Sequence, residues 1–147
     1  MEVKEVMEVM EVKEVKEVME VKEEITTKSF TDLRMWQKSH DFVLEIYKTT
    51  ENFSKNELFG LTSQLRRAAV SIAANIAEGY KRKSKVEKLR FFNISQGSLE
   101  ECRYYLILSK DLMYFNKEKY NDLVNKLTEA SMSLNSYCKK MCEKISS

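Results

Sequence analysis

No proline interrupts this 147-residue chain, and glycine occurs only at positions 60, 79 and 97. Folds with many tight turns draw on both residues, proline to preset the backbone and glycine to take positive φ, so an all-β or doubly wound α/β chain is disfavoured. Long helices need neither. With 33% charged and 43% hydrophobic residues, such helices can carry one wet and one dry face, and the length suits a single domain.

The first residues do not join that pattern. From Glu2 to Lys22 the sequence repeats Glu-Val-(Lys or Met) seven times, with valine at every third position from Val3 to Val21. On a helix of about 3.6 residues per turn, a period of three drifts by roughly 60° per repeat, so the valines wind around the surface and build no stripe. The period fits neither a heptad nor a strand. Residues 1–29 are therefore expected to be a low-complexity leader, disordered or frayed, with the folded domain in 30–147; an acidic interaction arm is the alternative reading. Charge divides at the same place. Residues 1–24 hold four lysines against nine glutamates, a balance of −5, so the remainder carries +7 although the whole chain is only +2. A basic body with an acidic leader is compatible with a polyanion partner.

Three cysteines are an odd count in no spaced framework, which points to reduced thiols and a cytoplasmic protein. No apolar run approaches the ~20 residues that cross a bilayer, and the acidic start is unlike a secretion signal, so no membrane partner is expected.

Four helices are expected after residue 30, in an all-α, up-down-up-down four-helix bundle. Leu33, Trp36, His40, Val43, Leu44 and Tyr47 recur at helical spacing and define the first, ending near Phe53. The second runs from about Phe59 to Glu78 and closes at Gly79, where glycine would let the chain leave in a left-handed conformation. Ser84 and Glu87 have the spacing of a capping box and open the third, with Phe91, Phe92, Ser95, Leu99, Cys102, Leu106 and Met113 along one side. Asn116 caps the fourth, whose stripe is Tyr120, Leu123, Leu127, Leu134, Tyr137, Cys138 and Met141. The short connections make neighbouring helices antiparallel.

The second helix is unusual. Ser63, Gln64, Arg67, Ser71, Asn75 and Glu78 fall in a narrow polar strip, opposite Leu61, Leu65, Ala68, Ala69, Ile72 and Ile76. Val70, Ala73 and Ala77 widen the apolar arc, with Arg66 set among them. Either the helix is central and deeply packed, or part of it faces a second subunit.

The run Leu58-Phe59-Gly60-Leu61-Thr62-Ser63-Gln64-Leu65-Arg66-Arg67-Ala68-Ala69-Val70-Ser71-Ile72-Ala73-Ala74-Asn75-Ile76-Ala77-Glu78-Gly79 resembles the signature of the four-helix bundle proteins known as 23S rRNA intervening-sequence proteins. Trp36-Gln37-Lys38 before it and Gly97-Ser98-Leu99-Glu100 after it extend the resemblance over about residues 30–142. The resemblance implies a four-helix bundle assembling as a ring-shaped homopentamer. The family also resembles the accessory variability protein of diversity-generating retroelements, whose pentamer binds nucleic acid and a reverse transcriptase. Ser54 and Ala73 stand where relatives often carry proline.

From Arg66 to Arg90 there are eight basic side chains and two acidic ones, and Lys81, Arg82, Lys83, Lys85 and Lys88 surround one turn. With Arg90 they are the candidate nucleic-acid-binding residues, because each phosphate neutralised releases condensed counterions, and ring symmetry would multiply the patch. The plain alternative is a solvated loop. Arg66, Arg67, Asn75, Glu78 and Gly79 read as a structural or interface motif, with Arg66 and Arg67 packed and the polar strip fixing helix register; ligand recognition is the alternative. Catalytic residues are not indicated. Arg34 and His40 lie roughly 120° apart on a helix and His40 sits on the apolar stripe, while Cys138 and Cys142 share a face but lack partners spaced for zinc. No metal, cofactor or glycine-rich phosphate loop is implied. These residues favour two functions, a non-enzymatic RNA-binding oligomer and a scaffold that docks a partner protein; a ribonuclease using His40, suggested by the Arg34-to-His40 spacing, is a third reading that the place of His40 on the apolar stripe disfavours.

Overall fold

The computed structural model describes residues 27–146; residues 1–26 of the expected 1–29 leader lie outside the described residues, whereas residues 27–29 lead into the first turn. Four helices, α1 (Arg34–Thr50), α2 (Leu61–Lys81), α3 (Lys85–Asp111) and α4 (Lys117–Ser146), stand around a square, each packed on the helices before and after it in the cycle. This is the all-α, up-down-up-down bundle. Its core runs from Leu33 through Phe42, Ile46, Leu65, Ile72, Ile76, Phe92, Leu99, Leu106, Leu123 and Leu127 to Met141.

A 3-10 turn, Phe30–Asp32, leads into α1. The Ser29 hydroxyl accepts from Thr31 N at 3.2 Å while the Asp32 carboxylate accepts from Ser29 N, so the donors of the turn are satisfied locally. The face that α1 buries differs from the expected one. Met35, Ser39, Phe42, Val43, Ile46, Thr49 and Thr50 point inward, whereas Leu44 and Tyr47 are exposed and Trp36 and His40 are half-buried. Two apolar series about 100° apart compete on this helix, and hydroxyls decide it. Ser39 Oγ donates to Met35 O and Thr50 Oγ1 to Ile46 O, each at 2.7 Å, so these two polar residues enter the core with their hydrogen bonds made, whereas the Thr49 hydroxyl is buried without a partner.

Helix α2 begins later and ends later than its pattern predicts. Gly60 is the N-cap and Glu57 Oε2 accepts from Leu61 N at 3.1 Å, leaving Phe59 outside the helix and 92% exposed. At the other end the helix continues through Gly79 to Lys81, and no glycine among the described residues has positive φ. Gly79 serves packing instead of helix termination. A Cβ there would lie 2.6 Å from Cε1 of Phe92, so its absence lets α3 close on α2. Ser95 Oγ donates to Ile72 O at 2.9 Å in the same buried seam.

Helix α3 starts on Ser84, whose hydroxyl accepts from Glu87 N at 3.1 Å, as the spacing predicts. Its buried stripe is Phe92, Ser95, Leu99, Cys102, Leu106 and Ser109. Met113, expected to extend it, is 85% exposed and lies beyond the helix with φ 62°. It occupies the left-handed position of a Schellman closure: Met113 N donates to Lys110 O and Tyr114 N to Ser109 O, both at 2.9 Å. Asn116 Oδ1 then accepts from Lys119 N at 2.8 Å and opens α4.

Candidate nucleic-acid interface

The turn between α2 and α3 is three residues long, Arg82 to Ser84, with Arg82 and Ser84 both extended. A turn so short leaves the last carbonyls of α2 without helical donors. Lys88, in the first turn of α3, supplies them: its ammonium donates to Tyr80 O and Gly79 O and lies 5.4 Å from the Tyr80 ring centroid. Burial pushes its pKa below the usual lysine range. Arg82 is tied down as well. Its guanidinium pairs with Glu78, stacks 4.5 Å from the Phe91 ring centroid, and buries Nε without a protein acceptor.

The six candidate basic residues therefore divide. Arg82 and Lys88 hold the joint together, whereas Lys81, Lys83, Lys85 and Arg90 are exposed around it. The fold also brings basic residues to this end that are remote in sequence. The Tyr137 ring meets the Phe92 ring edge-on at 5.8 Å, which sets the last turns of α4, with Lys139 and Lys140, beside the start of α3. The chain leading into α1 brings Lys28, and the first residue of α1 is Arg34. Residues 27–36, 78–92 and 137–143 together hold ten basic side chains against four acidic. Lys139 and Lys140 were missed because the sequence cluster is contiguous; only the up-down topology puts the end of α4 beside the α2–α3 turn.

Arg66, Arg67, Asn75, Glu78 and Gly79, expected to form one motif, do not act as a unit. Arg66 Nε donates to Thr50 Oγ1 at 2.8 Å and its guanidinium lies 4.6 Å from the Tyr47 ring centroid, joining α2 to the end of α1. Arg67 does not share that role: it sits diametrically opposite Leu65 and Ala69 on the helix and is exposed. Asn75 Nδ2 donates to Ser71 O and Ser71 Oγ, and Ser98 Oγ meets Ser71 Oγ at 2.8 Å, a polar network that ties α2 to α3. Glu78 serves Arg82, and Gly79 serves Phe92.

His40 stacks on Trp36, with centroids 4.8 Å apart and planes 10° from parallel, which is aromatic packing. Cys102, Cys138 and Cys142 are unbridged, and burial pushes the first two thiols up to about 12. Among the described residues no group of three or more His, Cys, Asp or Glu side chains is placed to hold a metal, and no helix is long and apolar enough to cross a membrane.

The sequence pattern of the 23S rRNA-intervening sequence protein family matches residues 31–136, which covers all of α1, α2 and α3 and much of α4. The chain belongs to this family. It is also similar to the solved structure of a protein of unknown function from the S23 ribosomal protein family of Bacteroides thetaiotaomicron, with a TM-score of 0.65 and 30% identity over 71% of this chain and 98% of that one. No curated protein matches the sequence. The matched family region contains the whole α2–α3 joint, whereas Lys139 and Lys140 fall beyond it.

Proposed function

We propose that the protein is a non-enzymatic RNA-binding oligomer of a reducing, cytoplasmic compartment, and that the exposed side chains around the α2–α3 turn contact phosphates. The observation that carries this reading is the division of the basic cluster: Arg82 and Lys88 fix the turn, and Lys81, Lys83, Lys85 and Arg90 stand outside it in a field of ten cations against four anions. A rigid turn displaying cations suits sequence-tolerant contact with a phosphate backbone. Self-association, as the homopentamer implied by the family resemblance, would repeat the patch about an axis. Val70 on α2 and Val86, Ile94, Tyr104 and Ile107 on α3 supply exposed apolar surface for it. That same surface favours the second reading, a scaffold for a partner protein.

The test is the variant Lys81→Gln, Lys83→Gln, Lys85→Gln titrated with single-stranded RNA over a range of salt. The expected result is weaker binding whatever the RNA sequence, with the slope of log affinity against log salt reduced by about 2 for three lost contacts, at roughly 0.7 each. Melting temperature should stay unchanged because none of the three holds the joint. Unaltered affinity and slope would reject the basic end as the interface and favour protein docking. Light scattering giving one chain's mass at micromolar concentration would reject the oligomer.

A further inference from the structure

Helix α3 carries apolar residues on both sides. Opposite the stripe it buries, Val86, Ile94, Tyr104 and Ile107 are exposed, and apolar surface on the outer side of a helix marks a place where a partner packs. Gly97 stands near the middle of this outer face. A Cβ built on Gly97 meets nothing within 4 Å beyond its own helix backbone and chain neighbours, so, unlike Gly79, it answers to no contact within the chain. Glycine is among the least favourable residues in a helix interior, and what a bare Cα on an exposed face permits is close approach from outside.

The exposed line through Gly97 has a period of seven. Lys83, Arg90, Gly97, Tyr104 and Asp111 are all exposed, Lys83 just before the helix and the other four on it. A seven-residue repeat is the spacing at which one helix keeps the same line towards another. Charge on the line is basic before Gly97, and aromatic or acidic after it. Turned end for end about Gly97, a second α3 brings its Asp111 to Lys83, its Tyr104 ring to Arg90, and its half-buried Leu108 to Val86 beside them. A parallel copy would set like charge on like.

We propose that α3 pairs antiparallel with the α3 of a second copy across a two-fold axis at Gly97. The contact is isologous: each copy gives the same line of residues and receives it reversed. Ring closure needs a heterologous interface, so this pairing is additional to the ring considered above and would join two such rings. Lys81 and Lys85 stay outside the pair, whereas Lys83 and Arg90 are shared with the phosphate surface. Only that sharing rests on the function proposed above; the pairing does not.

The experiment measures the mass of the full chain by light scattering at micromolar concentration beside that of Gly97→Leu. The added side chain enters open space in the single chain, so the variant should fold with an unchanged or higher melting temperature. It blocks the close approach, however, and should weaken pairing at least about thirtyfold, halving the measured mass. Mild oxidation of Gly97→Cys, in a Cys142→Ser background, should link two chains at least about tenfold more than oxidation of Arg90→Cys in the same background. An antiparallel pair holds position 97 beside itself and position 90 ~21 Å from itself. Equal masses for the full chain and Gly97→Leu, whether of one chain or five, would overturn the pairing. Linkage through position 90 as readily as through position 97 would overturn it too, since an in-register parallel contact gives that result. A halved mass with RNA bound by neither protein would uphold the pairing and reject RNA as the ligand.

Discussion

Helix α3 is joined to its neighbours at its two ends by different physics. At the N-terminal joint the work falls to side chains: Ser84 caps α3, Lys88 satisfies the last carbonyls of α2, Arg82 stacks on Phe91, and Phe92 fills the space that Gly79 leaves. At the C-terminal joint the backbone closes on itself through Met113 and Tyr114, and only then does Asn116 cap α4. A joint made from interlocking side chains tolerates little change in shape. One made from backbone hydrogen bonds accepts any residue that fits its dihedral angles, and glycine fits them better than methionine. The contrast explains why the candidate interface is rigid although it is mostly charge: the cations on display sit on a turn whose conformation is held by other cations.

The largest effect expected from this comparison is at Gly79. Replacing it with alanine would ordinarily stabilise a helix by about 1 kcal/mol. Here the new Cβ would meet Phe92 at 2.6 and 3.0 Å and Phe91 Cβ at 3.1 Å, and Phe92 is only 1% exposed with Tyr137 against its ring, so the overlap is relieved only by moving core atoms. Overpacking of that kind costs ~1–3 kcal/mol or more, and we expect Gly79→Ala to lose about 2 kcal/mol net in urea unfolding. A stabilised Gly79→Ala protein would show that the N-terminal joint yields as easily as the other one.

The C-terminal joint should respond in the opposite sense. A non-glycine residue at φ 62° costs about 1–2 kcal/mol, and Met113 recovers little of it, since 85% of the residue is exposed. Met113→Gly relieves the strain at the expense of a more flexible unfolded chain, so the net gain should be about 1 kcal/mol, read as a melting temperature raised by about 4 °C. A lower melting temperature would mean that the methionine side chain makes a contact outweighing its backbone strain, and the two joints would then be more alike than their geometry suggests.

These two positions also mark where the sequence could be read and where it could not. Ser84 and Asn116 were legible as caps because a cap is a local event, and the antiparallel order of the helices followed from short connections. Gly79 was legible as a special residue and misread as a helix stop, since nothing in its own neighbourhood reveals a phenylalanine thirteen residues later pressing on its Cα. Met113 carries no turn signal at all. On α1 the sequence offered two overlapping apolar series, and the choice between them turned on Ser39 and Thr50 returning their hydroxyls to the helix backbone, which hydropathy scores as a penalty. At the candidate interface the charges were visible as a run, but not the distinction between a lysine that caps a helix and one that faces solvent. That distinction depends on distances across the turn.

The smallest effect concerns the ion pair that stands near the C-terminal joint. Lys119, in the first turn of α4, donates to Glu45 of α1, and the pair is partly exposed. The hydrogen bond from Lys119 is the main cause holding the Glu45 carboxyl below its ordinary pKa, with burial opposing; the same bond is the main cause raising Lys119. A depressed carboxylate pKa contributes stability that is fully present above the unfolded-state value and is lost as pH falls through the folded one. A raised lysine pKa contributes stability that is fully present below its unfolded value and is lost as pH rises through the folded one. Both shifts therefore describe one pair that stabilises across the neutral range and fails at both extremes. Pairs of this exposure contribute ~0.2–1 kcal/mol, so Glu45→Gln should lose about 0.5 kcal/mol near neutral pH. The difference from the unaltered protein should shrink as pH falls through the lowered folded-state pKa of Glu45, and vanish once the carboxyl is protonated in folded and unfolded chains alike. A difference as large as that from Gly79→Ala, or one that persisted unchanged in acid, would show that side chains lock this end of α3 as firmly as the other.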